Sequence, residues 1–300
     1  MFVHPAEPFP DRPPYRPFLA GAPRFAPGLN PIPEALWLRP DPEHDANMAN
    51  RATVLQAHGG DNAGDAARWD AQSLPAQAEA LHLIEMALDR RAPDKAMGMH
   101  APILRAGALL ADDLVVMERR GEEWRATALL LTAPTFFSAA EAFGRNLFAI
   151  HEPVPGNAPS LTSIGLAARV TALFDRLPDD SVLQRFNWTL QCGDARYTPD
   201  GAVHRALAAA LGPEAAAREL YLRVERQTVR RLPQTGAVLF TIRIALDPVR
   251  TLAPDVRAAL ATAWREADAE ARAYKKWAAL DAAAEIAFAW SGATAERKRP

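Results

Sequence analysis

Residues 219–246, ELYLRVERQTVRRLPQTGAVLFTIRIAL, read as two strands joined by a tight turn. Leu220, Leu222 and Val224 fall on one face by the two-residue period of a strand, and the same row continues to Arg226 and Thr228. In the second half Val238, Phe240, Ile242 and Ile244 make a wholly apolar row, which puts Thr241 and Arg243 on the opposite face. Between them lies RRLPQTG, where Pro233 suits the second turn position and Gly236 can take a positive φ. Arg226 in a core-facing row must meet an anion or carbonyls, because a buried unpaired charge is too costly. An anionic ligand group would serve, and so would Glu225 or another acid across the sheet.

Upstream, VLQRFNWTLQ (182–191) is a third strand whose alternation separates Gln184, Phe186 and Trp188 from Leu183, Arg185 and Asn187. Either row can face a cavity: Arg185 and Asn187 as donors, or Phe186 and Trp188 as walls, with core packing the simpler role for the aromatics. DLVVMER (113–119) and WRATALLL (124–131), separated around Arg120 and Gly121, make a hairpin. Helical stretches are expected at SAAEAFGRNLFAI (138–150), from about Thr162 to Leu177, from Ser73 to about Arg91 with Pro93 ending it, and from Pro254 to Trp290. Residues 56–72 read as a loop. The order predicts an α+β fold: a PAS-like five-stranded antiparallel sheet with helices inserted after the second strand, plus N- and C-terminal helical extensions. The chain divides into a Pro-rich arm and helical extension (1–110), a core (111–250) and a C-terminal helix (251–300), all one structural unit.

Charge and cysteine content narrow the function. A net charge of -2 with interleaved signs gives no positive field for nucleic acid or an anionic membrane. The single cysteine, Cys192, excludes an intramolecular disulfide and an iron–sulfur cluster. The Pro-rich start has no signal-peptide pattern and no run reaches the length of a membrane span, so a cytoplasmic location is expected. There is no GxGxxG, P-loop, HExxH or GxSxG motif to hold a dinucleotide, a triphosphate, zinc or a serine nucleophile.

Of the histidines, His4, His44, His58, His82, His100 and His204 have the contexts of surface or capping residues. His151 differs, following Leu147–Ile150 and preceding Pro153 and Pro155. A helix end stiffened by prolines can present an imidazole to a cavity with little freedom, as an axial iron ligand requires. A buried histidine that merely bonds a carbonyl is the other reading.

GRNLFAIHEPVPG (144–156), RFNW (185–188) and above all LRVERQTVRRLPQTGAVLFTIRIALDPV (222–249) resemble the α subunit of haem-dependent oxidative N-demethylases, as do FAPGLNPIPEALWL (25–38) and DDLVVMERRGEEW (112–124). The resemblance implies a PAS fold that binds haem b through His151 and has turned from sensing to catalysis. It further implies oxidation of a small secondary amine such as dimethylamine by dioxygen, with electrons from a separate NADPH-dependent subunit carrying the flavin and iron–sulfur cluster. Glu225 and Arg226 would be the catalytic pair, Arg226 polarising the distal site or holding propionates. Thr228, Arg185, Asn187 and Trp188 would contact the cofactor, and the amine would bind as a cation against Glu225 or a propionate. The chain departs from the family pattern at Pro134–Ser138 and at Phe143, which bears on substrate and partner contacts more than on haem. A haem PAS sensor without turnover, and a cofactor-free scaffold that pairs through residues 254–290, are the alternatives.

Overall fold

The computed structural model describes residues 13–59, 62, 64–92, 101–160 and 163–290. Its centre is a seven-stranded antiparallel sheet. The strands are β1 (Asn30–Ile32), β2 (Ala67–Trp69), β3 (Asp113–Arg120), β4 (Glu123–Leu130), β5 (Val182–Cys192), β6 (Leu220–Arg231) and β7 (Val238–Pro248), in the order β1-β5-β6-β7-β3-β4-β2. The fold is α+β, but the expectation of five strands is corrected to seven. The two additions are three-residue pieces, one inside the Pro-rich arm and one inside the stretch expected to be loop, too short for alternation to register. β5, β6 and β7 carry the alternating rows expected of them, and the hairpin β3–β4 pairs with a register shift between Val116 and Met117. Gly121 and Gly236 turn the two hairpins at φ 64° and 71°.

Register divides the sheet into two faces. Arg185 pairs with Gln227 and Gln227 with Ile242, while Asn187 pairs with Glu225 and Glu225 with Ile244, so these six share what is called here the front face. Phe186, Arg226 and Arg243 lie in line on the back, as do Thr228 and Thr241.

The back face carries most of the core. Trp37 of the arm packs there with α2 (Leu74–Leu88) and α3 (Pro102–Gly107) against Leu114, Val116, Leu130 and Leu239. Tyr15 and Phe18 pack with Trp188, Leu222, Val224 and the C-terminal helices. Helix α1 (His44–His58), absent from the sequence reading, has no apolar stripe; its buried residues are Asn47, Arg51 and Val54. It is held by polar bonds, Arg51 reaching the carbonyls of Gly107, Leu110 and Asp112.

The front face is covered by α4 (Ala139–Ala142), α5 (Leu147–Ile150) and α6 (Leu166–Arg176). The one helical stretch expected at 138–150 is instead two single turns. Gly144 at φ 74° breaks it, and Arg125 and Asn146 form a bridge between strand and break. Thr162 lies outside the described residues, as do Pro93, His4 and His100. Between β5 and β6 the chain makes α7 (Ala202–Leu211) and α8 (Pro213–Arg218). The single C-terminal helix expected is three: α9 (Pro254–Arg265), α10 (Ala269–Tyr274) and α11 (Asp281–Phe288). Asp268 caps α10 anew and Lys276, at φ 53°, ends that run. Among the described residues no helix is long and apolar enough to cross a membrane.

Candidate cofactor site on the front face

His151 sits at the C-terminal end of α5, a helix started by the Asn146 side chain, which accepts the Ala149 N–H at 2.9 Å. The ring Nδ1 lies 2.7 Å from the Leu147 carbonyl. A carbonyl only accepts, so Nδ1 carries the proton and Nε2 keeps its lone pair. Burial lowers the His151 pKa below its ordinary value; the Leu147 bond opposes this and the charge of Arg185 adds to it. The imidazole is therefore neutral at pH 7, in the tautomer a metal ligand needs.

The following loop is fixed by Asn157, which is buried. Its amide donates to the Phe148 carbonyl at 2.9 Å and accepts from the Ala167 N–H at 3.2 Å, tying α5 to α6. Gly165 makes this close approach possible: at φ 87° it brings its Cα against the Asn157 carbonyl, where a Cβ would overlap.

Beneath the helices the sheet is not sealed. Arg185, Asn187, Gln227 and Phe240 are half-buried although all but the first two stand on central strands, and Phe143, Ile150 and His151 on the helical side are half-buried too. The polar floor is organised around Glu225, whose Oε2 accepts from Asn187 Nδ2 at 3.1 Å and Gln227 Nε2 at 2.7 Å. Lys275 reaches in from the end of α10 and donates to Asn187 Oδ1 and the Trp188 carbonyl, both at 3.0 Å. Burial pulls its pKa down to about 8; the charge of Glu225 opposes the shift and Arg185 adds to it. Arg223, fully buried one step along the strand, is saturated by carbonyls of Ala133, Pro134 and Arg196 and by Gln191 and Thr135.

His151, Arg185, Asn187 and Glu225 thus share one side of the sheet. Arg226, Thr228 and Trp188 are on the other. Arg226 donates to Gln184 Oε1 at 2.7 Å and to the Trp37 and Leu36 carbonyls at 2.8 and 2.6 Å, so the carbonyl partners that its burial demanded come from the arm. Thr228 accepts from the Trp37 indole at 3.1 Å and bonds Thr241 at 2.7 Å. Trp188 packs 5.2 Å from the Trp277 ring, deep in the back core. His204, expected on a polar helix face, is buried and its Nδ1 bonds the Cys192 carbonyl at 2.7 Å.

Lys275, Gln227, Asn157 and Arg169 were not legible as site residues. Arg169 projects from α6 to the Phe25 carbonyl at 3.4 Å, next to Arg185, which holds the Ala26 carbonyl at 3.0 Å.

The donor set fits a haem. One imidazole, in the tautomer a metal ligand needs, stands on the same side of the sheet as the half-buried Phe143 and Phe240 and the polar Arg185, Asn187 and Gln227. Among the described residues no three of His, Cys, Asp and Glu cluster as a protein-built metal site would. No curated protein matches the chain. The profile of a family described as haem-dependent oxidative N-demethylase, alpha subunit-like, matches residues 92–284. That span takes in the helices carrying His151 and Arg169, the strands carrying Arg185 and Glu225, and Lys275, and the chain therefore belongs to the haem-dependent oxidative N-demethylase alpha subunit-like family.

Proposed function

We propose that the chain binds haem b through His151 Nε2 and is the oxygen-activating subunit of an enzyme that demethylates a small secondary amine such as dimethylamine. Electrons come from a separate NADPH-dependent subunit carrying flavin and an iron–sulfur cluster. The observation that carries the reading is the Nδ1–Leu147 bond, which fixes the proton on Nδ1 and leaves the Nε2 lone pair for a metal. The order of the long strands, 2-1-5-4-3 when they are numbered among themselves, supports a PAS-like core with its ligand beneath the inserted helices. The words "alpha subunit-like" in the family description support a partner subunit.

The haem, when bound, supplies the oxygen chemistry. The residues of the chain position what reacts. Glu225, with one oxygen already bonded by Asn187 and Gln227, presents a carboxylate in fixed orientation to an alkylammonium ion and can hold the proton that the amine must shed. Arg223 and Lys275 balance that carboxylate before substrate enters. Arg226, held by the arm, acts in this scheme as the clamp that fixes strand β6 from behind.

Purified, haem-reconstituted protein is expected to show a Soret band that His151→Ala removes, and to form formaldehyde from dimethylamine when given a reductant and oxygen. A band that survives His151→Ala refutes the ligand assignment. A histidine-dependent band without formaldehyde would point to a sensor.

A further inference from the structure

We propose that Arg169 and Arg185 form a carboxylate clamp that receives the two propionates of the haem, displacing the arm carbonyls they now hold. This rests on the haem reading above and names the residues that anchor the group at its acidic edge. Two guanidiniums from different elements, α6 and β5, converge on consecutive carbonyls, those of Phe25 and Ala26. Among the described residues neither Arg169 nor Arg185 has a hydrogen-bonded carboxylate, and each keeps a buried Nε without a partner. A carbonyl offers a guanidinium no charge and fills one N–H, whereas a carboxylate takes two from the same planar fork. The pair is therefore two forks, each with an unused donor, matched to a ligand with two carboxylates.

Position agrees with chemistry. Arg169 stands on α6, which Asn157 ties to the helix carrying His151, and Arg185 stands on the face of the sheet that those helices cover. Glu225 acts on Arg185 through its charge, but its hydrogen bonds go to Asn187 and Gln227. The buried Arg51, Arg223, Arg226, Arg243 and Arg257 are committed to carbonyls or acids, and Arg230, which also keeps an unpartnered Nε, is on the back face and paired with Glu34.

The test compares haemin with its dimethyl ester, in which both propionates are neutral, by titrating apoprotein and following the Soret band. Wild type is expected to bind the ester about tenfold or more weakly than haemin, as loss of charge-assisted pairing implies. Arg169→Gln and Arg185→Gln are expected to weaken haemin by a similar factor while leaving the ester within about twofold. Equal loss for both ligands overturns the clamp and makes the arginines structural. The wild-type comparison needs no variant, so a failure of Arg185→Gln to fold leaves the proposal exposed: equal affinity of wild type for acid and ester overturns it. If neither ligand gives a His151-dependent band, the haem reading itself falls and the clamp with it; a band with no acid–ester difference removes the clamp alone.

Discussion

Lys275 is a cation placed where the fold makes charge expensive. Its folded pKa, about 8, lies below the ordinary 10.5, so between those values the unfolded chain holds a proton that the folded protein has released. Stability rises with pH wherever the unfolded state binds more protons, so the penalty of burying Lys275 is full below about pH 8 and fades toward 10.5. Melting temperatures of wild type and Lys275→Met, measured across that window, are expected to diverge in favour of wild type as pH rises; a constant difference would show that the ammonium is not desolvated. Glu225→Gln tests the floor it supports. Removing the carboxylate charge while keeping its shape is expected to raise KM for the amine about 10- to 100-fold with the Soret band unchanged, the range for hydrogen bonds to charged groups. At this scale the sequence marks His151, by its prolines, and the alternating rows that carry Arg185, Asn187 and Glu225. It does not mark Arg169 or Lys275, because each reaches the site from a helix whose local pattern says only that it is helical.

Among elements, the long strands are legible and the short ones are not. Period-two alternation over eleven or twelve residues fixes β5, β6 and β7, but three residues of β1 or β2 contain one alternation at most. Helix α1 hides for another reason: it buries amide and guanidinium groups where a stripe of leucines would announce it. The site depends on such inconspicuous pieces. Helix α5 is one turn long, too short to be stable by itself, and is held by its cap and by the Asn157 link to α6. Gly165 is where that link is most vulnerable. Gly165→Ala adds a Cβ against the Asn157 carbonyl at a φ of 87° and is expected to destabilise by about 1–3 kcal/mol, the range for a strained backbone. Urea unfolding reads the loss, and a parallel fall in haem affinity would show that it is transmitted to His151.

In the whole molecule, the arm touches both sides of the sheet. Phe25 and Ala26 meet the front-face arginines, residues 30–32 join β5, and residues 34–43 lie along the back. There Arg230 stacks 4.6 Å from the Trp37 ring, Arg226 holds two arm carbonyls, and Arg243 reaches Asp41 and Asp112. Trp37 is 0% exposed. A fragment of residues 92–284, the span the family profile matches, would uncover that core and strand those arginines. It is expected to lose cooperative unfolding in a urea titration, and a sharp transition close to that of the full chain would refute the dependence. The prolines that make the arm look peripheral in the sequence are what let it lie extended along these surfaces.

The three-residue strands at the two margins have one more effect. A long strand with a bare row of N–H and C=O groups is a template on which a second copy of the chain can add. Here β1, interrupted by Pro31, lies along only Val182–Gln184 of β5, and β2 along only Ala128–Leu130 of β4, each too brief to template a neighbour well. Those two stretches of margin are thereby closed by the chain's own residues, and removing either piece is expected to lengthen the bare edge on which a second copy can add.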